Sequence, residues 1–500
     1  MSSKPAVAMG WQRDLSLILL PALAVFAFCV VNRFAFADGD TNWHVATGRW
    51  ILVHGAVPSV DPFSYTMAGH PWVPHEWLSE VILALVQAVA GWNGVMLLTG
   101  ACAAATFALL AWELTRWLGT LSVIASLGEI FALLRPHLMA RPHMLALPLL
   151  ALWMIELLRA RNGSRTPSLW LLPMMVLWAN LHGSYVFGLA FACPFALEAV
   201  VEAKGARLPV ALRWAAFLAA AGAAALVTPN GVEGLVLPFR VMGMKTLQSI
   251  GEWTAVSFTQ FSSLELALIF TLFICLYRGV RVGWASLGLL LLLLHMTLQH
   301  IRQEIILAVV APLLLAAPLG RALEPERAAA DPRPAAWPPL SEVAAATAVA
   351  VALVLGVATW RLLTPFVRTD SLVVPMTALR YVPPELAARP VFNDYSFGGW
   401  LVLEGVRPFI DGRADMYGDA LVQTYVDTAA VKSPSATDQV LRRYGVVWTI
   451  LTPASPLAAH LDHTPGWRRL YADKWAVVQV YDGFQPPPPP AAAATSRTVK

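Results

Sequence analysis

Two aspartates separated by one glycine, Asp38-Gly39-Asp40, can present both carboxylates to a single ligand. Such a pair can hold a divalent ion, Mg or Mn for example, or one member can take a proton from an attacking hydroxyl. By spacing alone, a pair of solvated acids opening a loop would look the same. The neighbours add to the chemical reading. Trp43-His44 follows in the same stretch, and His75-Glu76-Trp77 closes it. Asp38, Asp40 and Glu76 are therefore candidate catalytic groups, Asp38 and Asp40 candidate metal ligands, and His44 and His75 candidate substrate contacts.

Further clusters share this character. Arg135-Pro136-His137 and Arg141-Pro142-His143 repeat Arg-Pro-His in a turn whose prolines interrupt helix. Guanidinium groups there suit an anion such as a lipid-linked phosphate, which arginine grips with two hydrogen bonds. Snorkelling to lipid head groups is the plainer alternative. His182 and Ser184 follow Trp178-Ala179-Asn180-Leu181, and His300 and Arg302 stand between Gln299 and Glu304. An internal Arg302–Glu304 pair would account for the latter without function. Glu252 lies in a long segment, 229–262, that opens after the turn signal Thr228-Pro229-Asn230-Gly231 and can cover a substrate. Arg135, His137, Arg141, His143, His182, Glu252, His300 and Arg302 join the candidate binding residues.

The elements that must position these groups are membrane spans. The chain has 500 residues, 57% hydrophobic and only 13% charged, against about 25% charged residues in soluble domains. Apolar spans are read near 15–37, 93–113, 119–134, 143–158, 167–181, 184–202, 210–228, 263–277, 283–298, 301–319 and 342–363, eleven in all. Lys4 and Arg13 precede the first, and Ala35-Phe36-Ala37 mimics a cleavage site. The length of the run favours an uncleaved anchor. Segment 77–90 carries Glu80 and Gln87 and is read as an amphipathic helix on the membrane surface rather than a span.

With that choice, twelve lysines and arginines from Arg116 to Arg333 fall inside, against Arg135, Arg141, Arg240, Lys245 and Arg302 outside. This is the positive-inside distribution, and it puts every candidate cluster on the outer face. The net charge of +4 comes without a basic run, so nucleic acid is not an expected partner. Cys29, Cys102, Cys193 and Cys275 all sit in apolar segments and indicate no disulfide framework or redox role.

The expected organisation is a membrane domain over 1–364 with a first outer loop at 38–92 and a cytoplasmic linker at 320–340. A C-terminal extracytoplasmic α/β domain follows over 365–484, then a disordered Pro- and Ala-rich tail from 485. In that domain strands are expected at 390–394, 400–403, 408–411, 446–451 and 475–480, with helices near 418–432 and 436–444. Asp394, Asp411 and Arg413 follow strands beside glycines and are candidate recognition residues. Turns with an internal Asp–Arg pair explain them equally well.

This pattern resembles the GT-C class of membrane glycosyltransferases, in which an acidic motif opens the first large outer loop and a soluble domain often follows the last span. Asp38-Gly39-Asp40 matches the motif and 77–90 the surface helix. Trp178-Ala179-Asn180-Leu181-His182-Gly183 and Ile410-Asp411-Gly412-Arg413-Ala414-Asp415 are similar to motifs in a bacterial family of hypothetical membrane glycosyltransferases. The resemblance implies a polyprenyl-phosphate-linked sugar donor and an acceptor hydroxyl activated by Asp38 or Asp40. The acceptor would be a glycan, lipid or protein, and the site would be the bacterial inner membrane. The oligosaccharyltransferase branch carries Trp-Trp-Asp-Tyr-Gly. Asn393-Asp394-Tyr395 lacks the tryptophan pair and the glycine, so the chain is not assigned to that branch. Two other classes are weighed: a non-catalytic envelope scaffold acting through its outer domain, and a lipid-linked-sugar transporter. A transporter would need ionisable groups deep in its spans and symmetric repeats.

Overall fold

The computed structural model describes residues 4–249, 251–325 and 340–482. It divides into two compact units. One comprises residues up to Ser59 together with Trp72–Val367; the other comprises Val60–Pro71 and everything from Arg368.

The first unit is helical. Its helices are α1 (Lys4–Val31), α2 (Asp40–His54), α3 (Trp77–Trp117), α4 (Thr120–Leu134), α5 (His143–Asn162), α6 (Leu171–Leu181) and α7 (Tyr185–Glu202). They continue as α8 (Arg207–Ala225), α9 (Gly231–Met242), α10 (Ser263–Tyr277), α11 (Trp284–Gln299), α12 (Glu304–Leu323) and α13 (Leu340–Leu363). Among the described residues, six segments are long and apolar enough to cross a membrane: Asp14–Val31, α3, α5, α7, α8 and Ile301–Leu323. Shorter apolar helices are α6, α10, α11 and Thr347–Leu363. The chain is a multi-pass membrane protein.

Lipid is as apolar as leucine, so close backbone approach and interhelical hydrogen bonds hold such helices together. Ala103, Ala111, Ala151, Ala192, Ala221 and Ala308 are buried in the common core among Phe107, Trp153, Trp178 and Phe195. The Trp153 indole donates to the Gly188 carbonyl at 2.8 Å, joining α5 to α7. Beyond the apolar stretches, Arg159 pairs with Glu113 and Arg161 with Glu198, each at 2.7 Å, tying α5 to α3 and α7.

The first helix differs from its expected bounds. It runs from Lys4 and stops at Val31, because the Asn32 side chain accepts the Phe34 N–H and opens a short 3-10 turn, Arg33–Phe36. Segment 77–90 is the first arm of α3, which breaks at Ala90 and Gly91. Gly91 has φ 60°, a left-handed backbone open to glycine. That arm packs on α2 at a very close crossing. A Cβ at Gly48 would lie 1.9 Å from the Glu80 carbonyl oxygen. Gly48→Ala must therefore push α2 off α3, with an expected loss of about 1–3 kcal/mol. Thermal unfolding of the full chain in detergent reads this directly.

The second unit holds a four-stranded sheet in the order β1 (Val391–Asn393), β2 (Trp448–Leu451), β4 (Val477–Tyr481), β3 (Trp467–Ala472). β1 and β2 are parallel and the other pairs antiparallel. Its core contains Val391, Phe397, Leu401, Trp448, Ile450 and Val478. Two expectations need correction. Trp400–Leu403 forms the end of a helix, Gly398–Leu403, since a short apolar run does not distinguish strand from buried helix. Residues 408–411 form no strand. The Asn393 side chain accepts the Phe409 N–H and donates to the Ile410 carbonyl, each at 2.8 Å, supplying the partners a ladder would give. The unexpected β3 is an edge strand with exposed Arg468 and Arg469, charges that protect a sheet edge and blur its apolar alternation.

The first loop is also not one region. Val60–Pro71 belongs to the second unit, where the Tyr65 hydroxyl donates to the Val391 carbonyl at 3.1 Å and Thr66 Oγ1 to that of Phe409 at 2.7 Å. Of the linker placed at 320–340, Gly320–Leu323 complete α12. Its positions 326–339, and the tail from 485, lie outside the described residues.

Candidate active site

Asp38, Asp40, Arg141 and Glu252 meet at one place in the first unit. Asp40 is the first residue of α2, and the Asp38 Oδ1 accepts its backbone N–H at 2.6 Å, an Asx turn that fixes both carboxylates relative to the helix start. Arg141 reaches them from the turn before α5. The backbone holds it there: the Ala140 N–H donates to the Ala35 carbonyl at 2.8 Å, and the Ala140 carbonyl accepts Thr41 Oγ1 at 2.9 Å. Arg141 Nη2 bonds Asp38 Oδ2 at 2.6 Å and also Asp40 Oδ2, while Nη1 bonds Glu252 Oε2 at 2.5 Å. The other Glu252 oxygen pairs with Arg302 Nη1 at 2.5 Å. Arg302 also stands over the Trp253 ring.

Burial shapes the charge states. Desolvation raises Asp40 to about 7, outweighing the opposing Arg141, and Asp38 and Glu252 push the same way. Glu252 is also desolvated, yet Arg141 and Arg302 pull it down to about 2. Arg141 is desolvated too, but Asp38 and Asp40 hold it well above its ordinary range. The guanidinium is a permanent charge here.

A second polar group adjoins the first. Glu76, immediately before α3, faces the Nε2 atoms of His182 at 3.2 Å, His75 at 3.7 Å and His44 at 3.8 Å. His44 Nδ1 also meets Glu80 Oε1 at 3.2 Å. Burial first, and then the nearby arginines, hold His44 and His182 well below the usual imidazole range, so both are neutral at pH 7. The tautomer of His182 follows from its partners. Its Nδ1 accepts the Ser184 N–H at 3.1 Å, leaving the proton on Nε2, toward Glu76.

The stretch Trp178–Ser184 is built around this contact. Trp178 Nε1 donates to Ser184 Oγ at 3.0 Å, and Asn180 Oδ1 accepts the Trp77 indole at 2.8 Å.

The remaining candidates are dispersed. His143 Nε2 donates to the His137 carbonyl at 2.8 Å, and its ring lies edge-on to His182. His137 pairs with Glu304 at 3.3 Å, so the expected alternative of an Arg302–Glu304 pair is replaced by two separate contacts. His300 donates to the Trp253 carbonyl at 2.8 Å, and Arg135 is exposed.

In the second unit, Asp394 accepts from Ser396 and Thr452. Asp411 and Arg413 are 0% and 1% exposed and pair at 2.6 Å, the internal Asp–Arg pair of the alternative reading. Arg413 also pairs with the buried Asp61 at 2.6 Å. Asp61 and Glu80 are groups that the sequence does not mark as candidates. For Glu80 the signal was an acid four residues after Glu76 in an apolar helix.

A metal ion between Asp38 and Asp40 does not fit this arrangement. Their inward oxygens, with that of Glu252, surround the Arg141 guanidinium. Among the described residues no group of three or more His, Cys, Asp or Glu is disposed to hold a metal ion.

The fold can be compared with known proteins. No family model matches the chain, and no curated protein matches its sequence. By structure it is similar to the oligosaccharyltransferase AglB of the archaeon Archaeoglobus fulgidus in complex with an inhibitory peptide and a dolichol-phosphate. The TM-score is 0.53 at 12% identity, covering 88% of this chain and 69% of that one. The apo form of the A. fulgidus oligosaccharyltransferase gives a TM-score of 0.52 at 11% identity, covering 87% and 69%. With its helical membrane unit and the small sheet-containing unit that follows, the chain has the fold of GT-C glycosyltransferases.

Proposed function

We propose that this chain is a membrane glycosyltransferase that moves a sugar from a polyprenyl-phosphate-linked donor to an acceptor hydroxyl on the extracytoplasmic face of a bacterial inner membrane. The observation that carries the reading is the meeting of Asp38 and Asp40 with Arg141, Glu252 and Arg302 on a GT-C fold. The acceptor oxygen bonds the sugar carbon as the bond from that carbon to the phosphate oxygen breaks. The lipid phosphate leaves with the electron pair, and a carboxylate takes the hydroxyl proton.

Asp40 is better placed than Asp38 to be that base. Asp38 gives one oxygen to the Asp40 N–H and the other to Arg141. Arg302, 31% exposed in its side chain, is the cation open to the leaving phosphate. An apolar cleft of about 600 Å³ between Trp77, Leu78, Val176, Leu177 and Val227 supports a lipid chain as part of the donor. This reading takes the shorter apolar helices and α4 as spans, eleven in all, with the first arm of α3 lying on the membrane, and assigns these residues and the C-terminal domain to the extracytoplasmic side.

The test is transfer from labelled polyprenyl-phosphate sugars in membranes carrying wild type, Asp38→Asn or Asp40→Asn. Loss of labelling in either variant at normal protein level supports the reading. Equal labelling in all three removes both aspartates as bases. An effect confined to changes in the second unit would favour an envelope scaffold.

A further inference from the structure

The carboxylates of Asp38, Asp40 and Glu252 come from two distant stretches of chain, yet each turns an oxygen to the same guanidinium. Three convergent carboxylates are what a hard divalent cation takes, at oxygen distances of about 2.0–2.6 Å. Here the position is filled by a side chain that cannot lose its proton and whose planar fork spreads five N–H donors. Two features make the occupancy permanent. Ala140, the preceding residue, is tied through both its N–H and its carbonyl to Ala35 and Thr41, on either side of the aspartate pair, so Arg141 is carried to the cluster by the backbone. Glu252 is shared with Arg302, which places a second cation beside the first. A metal ion entering the cluster would have to expel Arg141 and then sit next to Arg302.

We propose that Arg141 is the resident cation of this carboxylate cluster and that the site works without a divalent metal ion. The proposal deepens the glycosyltransferase reading, since it names the group that organises the acids of that site, but its test does not need a known donor. The balance of charge agrees with it. The two guanidinium groups offset two of the three carboxylate charges, so the cluster holds at most one net negative charge before any ligand arrives.

The full chain in detergent is titrated with Mn(II), and bound ion is read from loss of the free-ion electron paramagnetic resonance signal. Wild type is expected to take up no Mn(II) beyond what Asp40→Asn takes up. Arg141→Ala, which leaves the three carboxylates facing one another, is expected to acquire one Mn(II) site that disappears in Arg141→Ala/Asp40→Asn. One Mn(II) per wild-type chain, lost in Asp40→Asn, overturns the proposal, and so does an Arg141→Ala protein that elutes as a folded species and binds none. If Arg141→Ala does not fold, the wild-type comparison with Asp40→Asn decides alone. Where a donor supports transfer, a chelator is expected to change the rate by less than about twofold. Absent transfer would count against the glycosyltransferase reading while leaving the Mn(II) result to stand on its own.

Discussion

Asp40→Asn is expected to lower sugar transfer about 10²–10⁴-fold, the range general base catalysis commonly supplies, with Asp38→Asn affecting it less. The asymmetry follows from their contacts. Both acids touch Arg141, but Asp38 also spends an oxygen on the Asp40 N–H and so has the tasks of a positioning group. Asparagine keeps the shape of Asp40 and removes its ability to accept a proton. Burial also sets the pH at which that ability appears. Asp40 must lose its proton to act as a base, and burial places that event at about 7. Wild-type transfer should therefore rise with pH through about 7 and level off above it. The same shift works against stability: between its ordinary value of 3.8 and about 7 the folded state holds a proton that the unfolded chain has released, so folding weakens as pH rises across that window. A pH–rate profile without a rise near 7, measured where the protein is intact, would exclude Asp40 as the base.

Arg413→Ala is expected to destabilise the second unit by about 3–5 kcal/mol, because removing one partner of a buried ion pair strands the other charges. Arg413 is fully enclosed and pairs with both Asp411 and Asp61. The acids are otherwise well supplied: Asp411 accepts from the Tyr417 hydroxyl at 2.7 Å, and Asp61 from the Phe63 and Ser64 backbone at 2.9 and 3.0 Å. Burial opposes the ionised form of Asp61, yet Arg413 prevails and the carboxyl lies below its ordinary 3.8. Its contribution to stability is therefore present above pH 3.8 and lost as pH falls through the lowered folded value. Thermal unfolding and limited proteolysis of the full chain measure the effect. A variant as protease-resistant as wild type at neutral pH would show that the network is dispensable. The triple change Asp61→Asn/Asp411→Asn/Arg413→Met, which removes the charge of Arg413 and of both its partners, should cost less than Arg413→Ala.

Much of the architecture was legible because clusters of polar residues separate the apolar segments. Asp38, Asp40, Arg141, Glu252 and Arg302 could be grouped since each stands at the end of such a span or in the loop that follows. Their pairing could not be read. Arg141 looks, in sequence, like a grip for an external anion, and only the closure of the Ala35–Ala140 corner shows that its anions are internal. Asp61 was invisible for a related reason: it sits in a stretch of ordinary turn residues, and its partner lies at Arg413. In the second unit, Trp400–Leu403 has the composition of a strand and the environment of a buried helix, while β3 hides its alternation under paired arginines. Local pattern fails where a side chain such as Asn393 provides the hydrogen bonds that regular structure would otherwise require.

The discontinuous second unit carries a consequence for biosynthesis. Val60–Pro71 is made early, but the residues it packs with begin at Arg368, about 300 residues later. At 5–20 residues per second, the early piece waits roughly 15–60 s for its partners. Throughout that interval Asp61 has no Arg413 to pair with, and the second unit cannot be completed before every intervening helix has been synthesised. Completion of the second unit is thus a checkpoint on the whole chain: a product truncated before Arg368 carries an unfilled fragment, which a quality-control protease can recognise.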